Sequence, residues 1–115
     1  MKLPDPSEKE VQRDIMAFLA LHKIFHWRVN SGAITGEYKG KRRFVRFTSL
    51  NGVSDIVGIL PGGKMLCIEC KRRTGKVSDD QADFLFRAGS IGALAFVARS
   101  VADVENALRR EGVIE

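Results

Sequence analysis

Apolar residues recur along the chain at two spacings, and the switches between them divide it into elements. From residue 8 to about residue 21, Val11, Ile15, Phe18 and Leu19 return at helical spacing. Ser7 and Glu10 stand at capping-box distance and set the start of that helix. Residues 24–29, Ile-Phe-His-Trp-Arg-Val, read as a strand. Residues 33–48 read as a hairpin turning near Lys39-Gly40-Lys41, and its second limb, Arg43-Phe44-Val45-Arg46-Phe47, alternates well. Two apolar runs follow, 52–60 and 64–71, joined by Pro61-Gly62-Gly63, and they suit buried strands. Ser78 and Gln81 repeat the capping-box spacing and open a second helix. Phe84, Leu85 and Ala88 continue the face of Gln81, and Gly89 is the expected stop. Residues 93–98 read as a buried strand. Ser100 caps a last helix from 101 to about 110, with Val101, Val104 and Leu108 facing inward. The order is therefore αββββ-β-αβα. The strand at 64–71, the second helix and the strand at 93–98 form a βαβ unit with a right-handed crossover. That predicts an α/β domain, a mixed sheet flanked by helices on both faces.

Three charges interrupt the apolar pattern of the two central runs: Asp55, Glu69 and Lys71. Side chains alternate along a strand, so Glu69 and Lys71 share a face, and Asp55 joins them if the two runs pair as a hairpin. Charges in such strands are costly unless paired or metal-bound. In the first helix, residues 8, 11, 12, 15 and 19 form one stripe, so Glu8 rather than Glu10 is the acid aimed toward the core side. Glu8 is otherwise a first-turn acid complementing the helix dipole. Two strand carboxylates and a third from a helix can bind Mg²⁺ or Mn²⁺, which take oxygen ligands and usually meet substrate phosphates. The backbone carbonyl of Cys70 could add a fourth oxygen. Lys71 could then orient or deprotonate a water, or stabilise charge on a phosphate. Gln81 either fixes Lys71 or the water, or serves only as a cap. A plain alternative is that these charges merely pair, Glu69 with an arginine for instance.

Charge and composition narrow the field. The 115 residues carry 19 basic and 14 acidic side chains, a net charge of +5, with a pI near 9.6. The distribution says more than the total. Lys39, Lys41, Arg42, Arg43 and Arg46 form one basic cluster, with no acid between Glu37 and Asp55. Lys71, Arg72, Arg73 and Lys76 form a second. Both are candidate phosphate contacts flanking the acidic hairpin, which favours a nucleic-acid partner over a merely solvated surface. The single tryptophan, Trp27, is expected in the core, with a base-stacking platform as the alternative. His22 and His26 stand alone and read as structural or surface residues. Cys67-x-x-Cys70 lies within one strand, which points the thiols to opposite faces and argues against a mutual disulfide. A structural zinc site needs four ligands, and there is no second cysteine pair. A phosphate-cradling glycine loop and a nucleophile with a histidine partner are also missing. No apolar run nears membrane-spanning length, and the first residues lack the apolar core of a secretory signal, so a reducing, cytosolic setting is expected. The length suits one domain, 1–115, with residues 1–6 as a short N-terminal arm.

Glu8 in an opening helix, Gly52-x-Ser54-Asp55 before an apolar strand, Glu69-x-Lys71, and Gln81 in the next helix together resemble the VRR-NUC family of PD-(D/E)xK, restriction-endonuclease-like nucleases. The resemblance runs from Ser7 to about Arg110. Asn30-Ser31-Gly32 also looks like the family's loop after its strand, which would bring Asn30 and Ser31 to DNA. Ser54 stands where many superfamily members have proline, but Ser-Asp is usual in this branch. The resemblance implies a restriction-endonuclease-like fold. It also implies metal ligation by Asp55 and Glu69, a catalytic Lys71, and Glu8 and Gln81 completing the site. The implied activity is metal-dependent hydrolysis of DNA phosphodiesters, structure-selective on branched DNA such as Holliday junctions or flaps. Stand-alone members occur in bacteria and phages, and symmetric resolution of a junction would call for a homodimer. The alternative is a non-catalytic DNA-binding module that keeps the fold.

Overall fold

The computed structural model describes residues 3–29, 33–38, 41–46 and 50–115, with 33–38 and 41–46 described by their backbone. Ser7 does cap the first helix, α1 (Glu8–Leu21): its hydroxyl accepts from the Glu10 N–H, and the Glu10 side chain accepts from the Ser7 N–H. Val11, Ile15 and Leu19 are the buried side of α1, the stripe expected from spacing. Strands β1 (Phe25–Arg28), β2 (Ala33–Tyr38), β3 (Lys41–Arg46), β4 (Ile56–Ile59) and β5 (Met65–Cys70) follow, then α2 (Asp79–Ser90), β6 (Leu94–Ala98) and α3 (Val101–Arg110). Ser78 and Gln81 form a second capping box. The second helix closes one residue beyond the expected Gly89.

Four strands form one mixed sheet in the order β1-β4-β5-β6. The β1–β4 and β4–β5 pairs are antiparallel, and β5–β6 is parallel, as a βαβ unit requires. β2 and β3 pair antiparallel as a separate two-stranded ribbon, with Tyr38 opposite Lys41. The α/β class and element order therefore match the pattern. Among the described residues no helix is long and apolar enough to cross a membrane.

The core lies on one side of the sheet. Val11, Ile15 and Leu19 of α1 and Val104 and Leu108 of α3 close over Ile56, Leu66, Ile68 and Cys70. Each fully buried aliphatic side chain there contributes about 1.5–3 kcal/mol. On the opposite face lie Val57, Cys67 and Glu69, the alternate residues of β4 and β5. The α2 crossover packs against β5 and β6 and has no fully buried residue. Two expectations fail at the sheet edges. Trp27 is 42% exposed rather than in the core, because β1 is an edge strand beyond the reach of α2. Strand β6 is the other edge, and four of its five residues are only half-buried.

Candidate metal centre

Asp55 sits at the mouth of β4 and is fixed from two sides. Its carbonyl accepts the Val29 N–H at 2.8 Å, tying it to the end of β1. Its Oδ2 accepts the Cys70 N–H at 2.9 Å, tying it to β5. Just before it, the fully buried Ser54 donates its hydroxyl to the Ile56 carbonyl at 3.2 Å. Gly52 makes the approach possible: its φ is +76°, and a β-carbon there would lie 2.2 Å from the Asp80 carbonyl oxygen. The turn leading to Asp55 thus packs directly on the start of α2.

Glu69 is 1% exposed, and neither of its carboxylate oxygens accepts a hydrogen bond. Lys71 is also buried; its backbone N–H donates to the Ala98 carbonyl at 3.0 Å and extends the ladder to β6. Its ammonium lies 3.5 Å from Glu69 Oε2 and 3.6 Å from Glu8 Oε1. Glu8 is the first residue of α1 and half-exposed. Oxygens of Glu8, Asp55 and Glu69 all lie within 4.8 Å of one another. Glu10, by contrast, is committed to the cap.

Crowding acidic groups with one lysine has electrostatic consequences. Burial, and then the neighbouring Asp55 carboxylate, push the Glu69 pKa up from 4.5 to about 8, against the pull of Lys71. Burial also raises the Cys70 thiol, helped by Asp55, Glu69 and Glu8. The Cys67 thiol is likewise raised by burial, with a hydrogen bond to Ser54 acting the other way. Both cysteines are free and buried, and neither is poised as a thiolate.

The three carboxylates could hold a divalent cation, and the donor set fits a hard one. It is all oxygen, it includes a buried carboxylate without a hydrogen-bond partner, and the Cys70 peptide lies between Glu69 and Lys71 to supply a carbonyl. Gln81 is placed differently from the others. Its Oε1 accepts the Ser78 N–H at 2.9 Å, so the capping role expected of it is filled.

The second basic cluster forms an exposed loop directly after Lys71, with Arg72, Arg73 and Lys76 at the surface. Two residues that spacing did not single out hold this region. Arg99 donates from Nη1 to the carbonyls of Arg72, Arg73 and Gly75 at 2.8, 3.2 and 2.8 Å. Asp5 accepts from Arg73 Nε at 2.8 Å and fastens the N-terminal arm to the loop. The only available signal for Arg99 was its place between a strand end and the Ser100 cap. Of the first cluster, Lys41, Arg42, Arg43 and Arg46 fall on β3 by backbone register; their side chains, and Lys39, Asn30 and Ser31 altogether, lie outside the described residues.

Compared with family models, with curated proteins and with solved structures, the chain finds no match in any of the three.

Proposed function

We propose that the chain is a Mg²⁺- or Mn²⁺-dependent endodeoxyribonuclease with a restriction-endonuclease-like fold, selective for branched DNA. One observation carries the reading: Glu69, a buried carboxylate without a hydrogen-bond partner, sits within reach of Asp55 and Glu8 and beside the Lys71 ammonium. Lys71 approaches only Oε2, at 3.5 Å, so the buried Oε1 is left to a second cation. Asp55, Glu69 and the Cys70 carbonyl would hold the cation, with Glu8 as a further ligand, directly or through water. Bound there, the ion would supply Lewis-acid polarisation of a phosphate and a water.

The reaction joins a water oxygen to phosphorus and breaks one ester P–O bond, and the departing alkoxide takes a proton. Lys71 is held between Glu8 and Glu69, so its ammonium has a fixed position from which to bind a phosphate oxygen or hold a water. Arg72, Arg73 and Lys76 follow it on an exposed loop and would bind the flanking backbone. Gln81 belongs to this proposal through its amide nitrogen, since its oxygen is engaged in the cap. Selectivity for four-way junctions or flaps, and a homodimer making paired symmetric cuts, complete the reading.

The test is cleavage of labelled linear, flap and four-way DNAs with and without Mn²⁺, read at nucleotide resolution. Wild type should cut only with metal. Asp55→Ala, Glu69→Ala and Lys71→Ala should each lose on the order of 10²-fold or more in rate. Binding without cleavage on every substrate would leave a DNA-binding module instead. A folded Lys71→Ala protein cutting at the wild-type rate would remove the lysine from the chemistry.

A further inference from the structure

The sheet face that carries Glu69 continues past it into an open aromatic surface. Pairing fixes the order of the rows. Trp27 lies opposite Val57, and Val57 lies opposite Cys67, two residues before Glu69 on the same face of β5. The next row outward is Phe25, Ile59 and Met65. α2 packs against β5 and β6, and among the described residues the β1–β4 half of this face has no covering helix. Phe25 is accordingly 65% exposed, Trp27 42%, Ile59 45% and Met65 44%. The two rings support each other, with centroids 5.4 Å apart and planes tilted by 54°.

Single exposed apolar residues need no explanation, but a contiguous group beside a charged cluster does. We infer that Trp27, backed by Phe25, is a stacking platform for unpaired bases of a DNA strand whose phosphate lies at the carboxylate cluster. Trp27 lies one pleat repeat along the sheet and two strand spacings across it from Glu69, a backbone separation of about 12 Å. That is about three to four steps of stacked DNA at 3.4 Å each. Every base has a flat apolar face, and an indole matches it without regard to sequence. The chain's net positive charge suits a polyanion. An aliphatic partner would find its best surface at Ile59 and Met65, in the outer row; of the two rings, the indole lies in the row nearer the acids. A flap supplies unpaired bases, so the platform would favour flapped over continuous duplex DNA. The placement rests on the nuclease reading of the cluster, but its test does not.

Trp27 is the only tryptophan, so its fluorescence reports on this surface alone. With divalent cations chelated, the free protein should show the red-shifted emission of a water-exposed indole. Single strands and flapped DNA should quench it more strongly, at lower concentration, than blunt duplex. Trp27→Leu, which keeps apolar bulk and removes the indole, should weaken binding of flapped DNA by about tenfold, and Trp27→Phe should restore most of it. Blue-shifted emission indifferent to DNA would overturn the proposal, because another part of the protein would then cover the ring. Trp27→Leu binding as tightly as wild type would also overturn it. Cleavage measured in parallel separates the two ideas. Cutting without quenching refutes the platform and leaves the nuclease; quenching without cutting does the reverse.

Discussion

Replacing Glu69 with glutamine should stabilise the metal-free protein, and by an amount that depends on pH. The Glu69 carboxyl is buried without a hydrogen bond, and burial beside Asp55 raises its pKa from 4.5 to about 8. Between those values the folded chain holds a proton that the unfolded chain has released. Stability therefore falls as pH rises through that window. At pH 7 the gap from 4.5 is two and a half decades of proton concentration, at about 1.4 kcal/mol each, or about 3 kcal/mol. Glu8, at the mouth of the cluster, is 47% exposed in its side chain, so water reaches the group and screens it. About half, roughly 1–2 kcal/mol, is the effect expected. Glutamine keeps the shape and does not ionise. Urea unfolding in chelator should show wild type and Glu69→Gln equal near pH 4.5, with the variant ahead by roughly 1–2 kcal/mol at pH 7, or about 5 °C in Tm. Added Mn²⁺ should reverse the order, since the variant loses a ligand while wild type gains one. A difference that stays flat across the window would refute the electrostatic account of the cluster.

Mn²⁺ affinity of the wild type should rise about tenfold per pH unit up to about pH 8, because binding requires ionised Glu69 and releases its proton; calorimetry in buffers of different ionisation enthalpy would measure that proton, and its absence would exclude Glu69 as a ligand. Gly52→Ala should cost about 2–4 kcal/mol in denaturant unfolding, since its methyl would meet the Asp80 backbone at 2.2 Å in a left-handed conformation; a loss under about 1 kcal/mol would mean that the turn shifts freely. Arg99→Ala should cost about 1–3 kcal/mol and expose the 72–75 loop to trypsin at Arg72 and Arg73, because one guanidinium nitrogen holds three of its carbonyls.

Local chemistry was the legible part of this chain. Both capping boxes were readable because Ser7–Glu10 and Ser78–Gln81 are contacts within one helical turn. The carboxylate cluster was readable because Asp55, Glu69 and Lys71 contradict the apolar strands around them, and the stripe of α1 distinguished Glu8 from Glu10. The central hairpin and the βαβ pair were readable too, but which strands form the sheet edges was not. Trp27 has the composition of a core residue, and only the position of β1 at the sheet edge exposes it. Leu94, Phe96 and Val97 likewise read as buried but line the other edge. Arg99 and Asp5 act on partners 24–27 and 68 residues away, and no periodicity reports such contacts. Gln81 shows the converse: one residue satisfies a local rule and a site expectation equally well, and spacing cannot separate them.

The bond from the Cys70 amide to Asp55 has a consequence for how this chain can vary. An acid anchored by a side chain loses its anchor whenever that side chain changes. Here the anchor is a peptide N–H, which every residue except proline possesses. Position 70 is fully buried, so it should accept alanine, serine or another small residue with Asp55 still in place, and refuse proline. The thiol is dispensable to the acid beside it, and drift at this position leaves the carboxylate where it is.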